Sequence, residues 1–176
     1  MTTLFIPAQN KTETDFAAIK TYLNDRGVAL TRWKANCLLD TKASQDEILA
    51  AYTHEIQPFM NQYGFKSCDV INVYPELENI SLLREKFLSE HTHSEDEVRF
   101  FVEGEGKFWF HLDTDEVLCL LCTAGDFLSV PAGVRHWFDL APKYSVKAIR
   151  IFTNKEGWVA QYTQSGIDTQ YNKINF

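Results

Sequence analysis

HTHSEDEVRFFVEGEG, residues 91–106, and GDFLSVPAGVRHWFDL, residues 125–140, decide how this chain is read. His91 and His93 lie two residues apart and point the same way from a strand, because strand side chains alternate with period two. Glu97 keeps that parity four residues later, so a short bend between His93 and Glu97 would bring all three onto one ion. His136 stands in the second stretch. Three imidazoles and one carboxylate suit a divalent transition metal, and the first stretch holds no softer thiolate. The chain has only 5 His, and this constellation takes most of them.

From Glu97 onward the apolar pattern has a period of two. Val98 to Val102, Lys107 to Leu112, Val117 to Cys122, Phe127 to Val130, His136 to Leu140 and Ser145 to Phe152 read as strands. Turns are expected at Glu103–Gly106, Asp113–Asp115, Ala124–Asp126 and Pro131–Gly133. Short strands at this spacing predict a double-sheet jelly roll or small barrel. The first third reads differently. Asp15 to Arg26 has helical spacing, with Thr12 or Thr14 as N-cap and Gly27 just past the end. Residues 27–33 alternate like a strand. A second helix starts near Ser44, with Glu47 completing a capping box. Its apolar face is Ile48, Tyr52, Ile56, Phe59 and Tyr63, and Pro58 should kink or break it. Leu82 to Leu88 reads as a short helix. The expectation is one mainly β domain with accessory helices: residues 1–85 as N-terminal helices and flanking strands, 86–158 as the metal-binding barrel core, and 159–176 as a polar tail over the surface.

Composition narrows the class. The 176 residues are 45% hydrophobic and 23% charged, with 8 Gly and 5 Pro, which is the make-up of a folded globular domain. Net charge is −7 with no basic run, which argues against nucleic acid as a partner. The N-terminal residues lack the pattern of a secretory signal, and no apolar run suggests a membrane span. Cys119 and Cys122 form a C-x2-C without two further suitably spaced ligands, so they read as buried thiols. A reduced, cytoplasmic monomer is the expectation.

The two stretches also carry longer patterns, His91-x-His93-x3-Glu97-x6-Gly104 and Gly125-x5-Pro131-x4-His136. These resemble the two cupin motifs, although cupins commonly space the Pro and His of the second motif by two residues. The wording around them, with IRIF at 149–152, is similar to acireductone dioxygenases of methionine salvage, most strongly from Phe87 to Trp158. The resemblance implies a cupin-type double-stranded β-helix and one Fe(2+) or Ni(2+) per chain on His91, His93, Glu97 and His136. It also implies O2 and a small enediol as substrates. His54 and His111 lie outside both motifs and read as ordinary histidines. Glu90, Glu95 and Asp96 read as solvated or outer groups, since consecutive acids cannot all face one ion.

Charge counting extends the implied site. A +2 ion with one carboxylate leaves +1, which an enediol dianion would overbalance, so further cations are expected. Arg99 shares the parity of Glu97, and Arg150 alternates with Val146, Ala148 and Phe152 on an inward face. A lone Arg there is costly to bury without an anionic partner. The resemblance adds Phe87, Phe138 and Trp158 as an aromatic surround for the substrate chain. The ligand set alone also permits another metal-dependent cupin enzyme, such as an isomerase or a different dioxygenase, or a non-enzymatic metal-binding cupin.

Overall fold

The computed structural model describes residues 1–154 and 159–174. Among the described residues eleven strands, all paired antiparallel, form two sheets that share one long strand. In chain order the strands are β1 (Thr3–Ile6), β2 (Lys11–Glu13), β3 (Ala29–Arg32), β4 (Ser67–Val73), β5 (His91–Thr92), β6 (Glu97–His111), β7 (Val117–Thr123), β8 (Asp126–Val130), β9 (Arg135–Asp139), β10 (Val146–Phe152) and β11 (Gln161–Tyr162). The helices are α1 (Phe16–Asn24), α2 (Gln45–Tyr63), α3 (Ile80–Leu88) and the short α4 (Asp168–Tyr171). The first sheet runs β11-β5-β9-β6-β7-β1-β2, and the second runs β4-β10-β6-β8-β3.

β6 is where the sequence reading needs correction. Residues 103–106 form no turn: the strand continues from Glu97 to His111. Its first half pairs with β8 and β10, and its second half pairs with β7 and β9. Inward parity slips by one residue in crossing from one sheet to the other. Phe101 points into the interior cluster on one side, and Phe108 and Phe110 do so on the other. Gly104 permits this corner, with φ +73° and a Cβ position that would fall 2.1 Å from the Ser145 carbonyl oxygen. Two Gly in four residues look like a turn locally, but they serve here as a bend within one strand.

Apolar layers follow from the alternation. Phe101, Phe108, Phe110, Leu128, Phe138 and Ala148 fill the space between the sheets. Val98, Phe100, Val102, Ile149 and Ile151 face the other way, onto Ile48, Tyr52, Ile56 and Met60 of α2. The capping box at Ser44 and Glu47 is formed as expected. Pro58 lies inside the helix without ending it; the carbonyl it leaves unbonded, that of His54, is on the exposed side where water can serve it. Met60, not Tyr63, completes the buried face, and Tyr63 is 60% exposed. The cap of α1 is Asp15, whose side chain accepts from Ala18 N, in place of either Thr. The tail is less polar in effect than it looked: Ile167, Tyr171 and Ile174 pack on Trp109 and Trp137, covering the outer face of the first sheet.

Candidate metal centre

His91 on β5 is directly opposite His136 on β9, which places both imidazoles on the interior face. The chain bends at Ser94 and Glu95 and enters β6 at Glu97. The expected bend therefore returns Glu97 to the two histidines. One ring nitrogen from each of His91, His93 and His136 lies within 4.8 Å of the others. Glu97 Oε2 stands 3.3 Å from His136 Nε2 and 3.5 Å from His93 Nε2. All four residues are buried.

The rings are oriented by the backbone. His91 Nδ1 is 2.8 Å from the Ser89 carbonyl, and His136 Nδ1 is 2.8 Å from the Val134 carbonyl. Such contacts fix each Nδ1 as a donor and leave Nε2 as a lone-pair donor to a cation. Glu97 Oε2 and His136 Nε2 are buried and have no hydrogen-bond partner. Burying unsatisfied polar atoms costs about 1–3 kcal/mol each, so convergent orphans of this kind fit a cation as their partner. Ligand bonds of about 2.1 Å require donor atoms about 3 Å apart or slightly more, as the two Glu97–His contacts are, and the three histidine nitrogens lie within 4.8 Å of one another. The donor set therefore fits a divalent ion of the borderline class.

Electrostatics agrees. Desolvation by burial, reinforced by the nearby charge of His136, lowers His91 to about 3, so the ring stays neutral. Burial likewise lowers His93. Burial would raise Glu97, but Arg99 and the surrounding imidazoles outweigh it and hold the carboxyl well below its ordinary range. All three are thus in the protonation state that a metal ligand requires.

Arg99 lies two residues along β6 and is 4% exposed. Its Nη2 donates to Glu97 Oε1 at 2.5 Å, while Nε and Nη1 are buried without a partner. The guanidinium carbon is 4.9 Å from the centre of Phe138 and 5.0 Å from that of Phe108. Phe108 also stacks on His136, with centroids 5.2 Å apart. Phe87 on α3 meets Phe138 edge to face at 6.3 Å. Gly106 makes room for this wall, since a Cβ there would fall 2.1 Å from the Phe138 ring. Arg150 is opposite Arg99 in the register of β6 and β10, as its parity predicted. It is engaged, however: Asp69 on β4 takes its Nε at 2.8 Å and its Nη2 at 2.5 Å. Trp158 lies outside the described residues.

The neighbouring acids hold the ligand segment in place. Glu90 accepts from Thr163 Oγ1 and Ser165 Oγ and meets His111 Nδ1 at 2.7 Å. Glu95 accepts from Thr153 Oγ1 and Asn154 Nδ2 beyond β10. Asp96 accepts from Ala132 N, and the His93 carbonyl accepts from Gly133 N. The last two bonds tie the first motif to the turn that delivers His136. Sequence reasoning left these roles open, and it gave no role to Asp69, Phe108 or the buried His111.

Comparisons with known proteins bear on the same centre. The profile of the ARD/ARD' family matches residues 7–160. An acireductone dioxygenase of Picosynechococcus sp. is 49% identical over 174 residues, covering 99% of this chain and 99% of the relative. One of Aquifex aeolicus is 49% identical over 160 residues, covering 91% and 87%. The solved structure of acireductone dioxygenase from Bacillus anthracis with a cadmium ion in its active center superimposes with a TM-score of 0.85. It is 32% identical and covers 92% of this chain and 98% of that one.

Proposed function

The chain belongs to the ARD/ARD' family, and from that premise we propose that it cleaves the acireductone 1,2-dihydroxy-3-keto-5-methylthiopentene with O2 in methionine salvage. It is a metal-dependent dioxygenase acting on a small molecule. The finer reading is one Fe(2+) or Ni(2+) per chain, held by His91, His93, His136 and Glu97. With iron the products are formate and 4-methylthio-2-oxobutanoate; with nickel they are formate, carbon monoxide and 3-methylthiopropionate. Both sets account for all atoms of the enediol and O2. The four thiols are unpaired, in keeping with a reducing, cytoplasmic setting, and no helix among the described residues is long and apolar enough to cross a membrane.

The observation that carries this reading is the pair of unpartnered donors on Arg99 beside the convergent ligand atoms. A bound divalent ion would supply Lewis acidity to the deprotonated enediol. Arg99 performs two tasks in this reading. Its Nη2 fixes Glu97, and its free Nε and Nη1 donate to an enediolate oxygen, favouring loss of the enediol proton. Arg150 adds a second cation to the same face. Phe138, Phe108 and Phe87 offer an apolar wall to the methylthio chain and keep water from the anion. Trp158 is the further aromatic group proposed for that wall.

Metal-free protein reloaded separately with Fe(2+) and Ni(2+), then mixed with the enediol and O2, tests the reading. Formate is expected from both forms and carbon monoxide from the nickel form alone. Neither O2 uptake nor formate from protein with metal demonstrably bound would overturn it, as would turnover under strict anaerobiosis.

A further inference from the structure

Across the interior face of the second sheet, register aligns Asp69 with Arg150, Arg150 with Arg99, and Arg99 with Leu128. Directly opposite residues on antiparallel strands project to the same side, a few ångströms apart. Two guanidinium groups are therefore neighbours on one face, where like charges repel and compete for the same acceptors. The conflict is resolved by two carboxylates, Asp69 at the β4 end of the row and Glu97 two residues along β6 from Arg99. Asp69 holds Arg150 with a two-pronged grip on Nε and Nη2, and Glu97 holds Arg99 through Nη2 alone. The side chains of Asp69 and Arg150 are 11% and 18% exposed, so the grip is shielded and geometrically fixed.

This asymmetry has a use. Arg150 is drawn toward β4, away from Glu97, and Arg99 keeps two donors with no protein partner. We propose that Asp69 is a positioning residue for the reaction: by gripping Arg150 it stops that guanidinium from competing for Glu97 and keeps the free donors of Arg99 turned toward substrate. The inference rests on the functional reading above for its chemistry, but its geometry stands apart from it. With Asp69 neutral, Arg150 loses its forked acceptor and is released to compete for Glu97, which lies two residues along β6 from its cross-strand neighbour Arg99.

The test is a double-mutant cycle of D69N, R150M and the double variant, each checked for metal content and thermal unfolding. In steady-state turnover, D69N is expected to lower kcat/KM about tenfold, and the acid limb of its pH profile to move up as enediol deprotonation loses support. D69N added to R150M should change little, because the competitor is gone. D69E, which keeps the charge, should recover part of the loss. Independently of turnover, the Arg99 Nε–H resonance in metal-loaded protein should move in D69N and stay put when D69N is added to R150M. An Arg99 resonance insensitive to D69N, or an equal response with and without Arg150, overturns the inference. A wild-type protein that binds metal but does not turn over the enediol counts against the functional reading, while the resonance cycle still decides the role of Asp69.

Discussion

Two buried histidine–carboxylate clusters flank residues 90 and 91, and they are built to opposite ends. In one, His91, His93, His136 and Glu97 converge, with the His91 and His136 Nδ1 atoms turned to main-chain carbonyls and with orphaned atoms facing a common point. In the other, His111 gives Nδ1 to Glu90 and brings Nε2 to 3.3 Å from Asp115. Glu90 is in turn saturated by Thr163 and Ser165, whose hydrogen bonds help hold the carboxyl below its ordinary range against the opposing effect of burial. The residue types are the same, and Glu90 and His111 are as buried as the four converging residues, while Asp115 is exposed. What separates them is satisfaction: a cluster whose polar atoms all find partners holds the fold together, and one whose atoms point together unpaired is prepared for a ligand.

The largest expected effect of breaking this contrast is loss of the ion. His136→Ala should abolish measurable turnover and weaken Ni(2+) binding by more than about a hundredfold, beyond what loss of a ligand's outer partner does. Equilibrium dialysis with element analysis checks this. His111→Ala should leave stoichiometry and affinity unchanged. Next in size, Arg99→Met should lower kcat about a hundredfold with metal retained, the usual cost of removing a donor aimed at developing charge. If the variant instead loses its metal, Arg99 acts only through Glu97.

A smaller effect is expected at the satisfied cluster. Glu90→Gln keeps the shape but removes the charge from three donors, and should cost about 1–3 kcal/mol of stability in urea unfolding. Activity per bound metal should be preserved. The smallest effect concerns acid. In metal-free protein His91 sits at about 3, against an ordinary value of 6.5. The unfolded chain therefore takes up the proton first. The stability this ring allows is full above about pH 6.5 and is lost as pH falls toward 3, at no more than about 1.4 kcal/mol per pH unit. His91→Phe should flatten the fall of the urea midpoint between pH 6 and 4.

How much of this was legible in the sequence depended on the range of the interaction. The bend from His93 to Glu97, the parity of Arg99 and Arg150 and the Ser44 capping box are local, and periodicity carries them. The continuity of β6 was not, because Gly104 and Gly106 signal a turn unless the sheet that receives the second half is known. Asp69 was hidden for the same reason: its partner lies 81 residues away, and an Asp in an alternating strand carries no mark of it. The exchange of Tyr63 for Met60 reflects where α2 crosses the sheet, which helical spacing alone does not determine. His111 looked ordinary because Glu90 and the tail reach it only in three dimensions.

The most direct test titrates metal-free wild-type, His136→Ala and His111→Ala proteins with Ni(2+) and measures bound ion per chain. One tight equivalent in the wild type and in His111→Ala, with none in His136→Ala, is the predicted result. A tight equivalent that survives in His136→Ala, or one that disappears with His111, would contradict the assignment of the ion to the unsatisfied cluster.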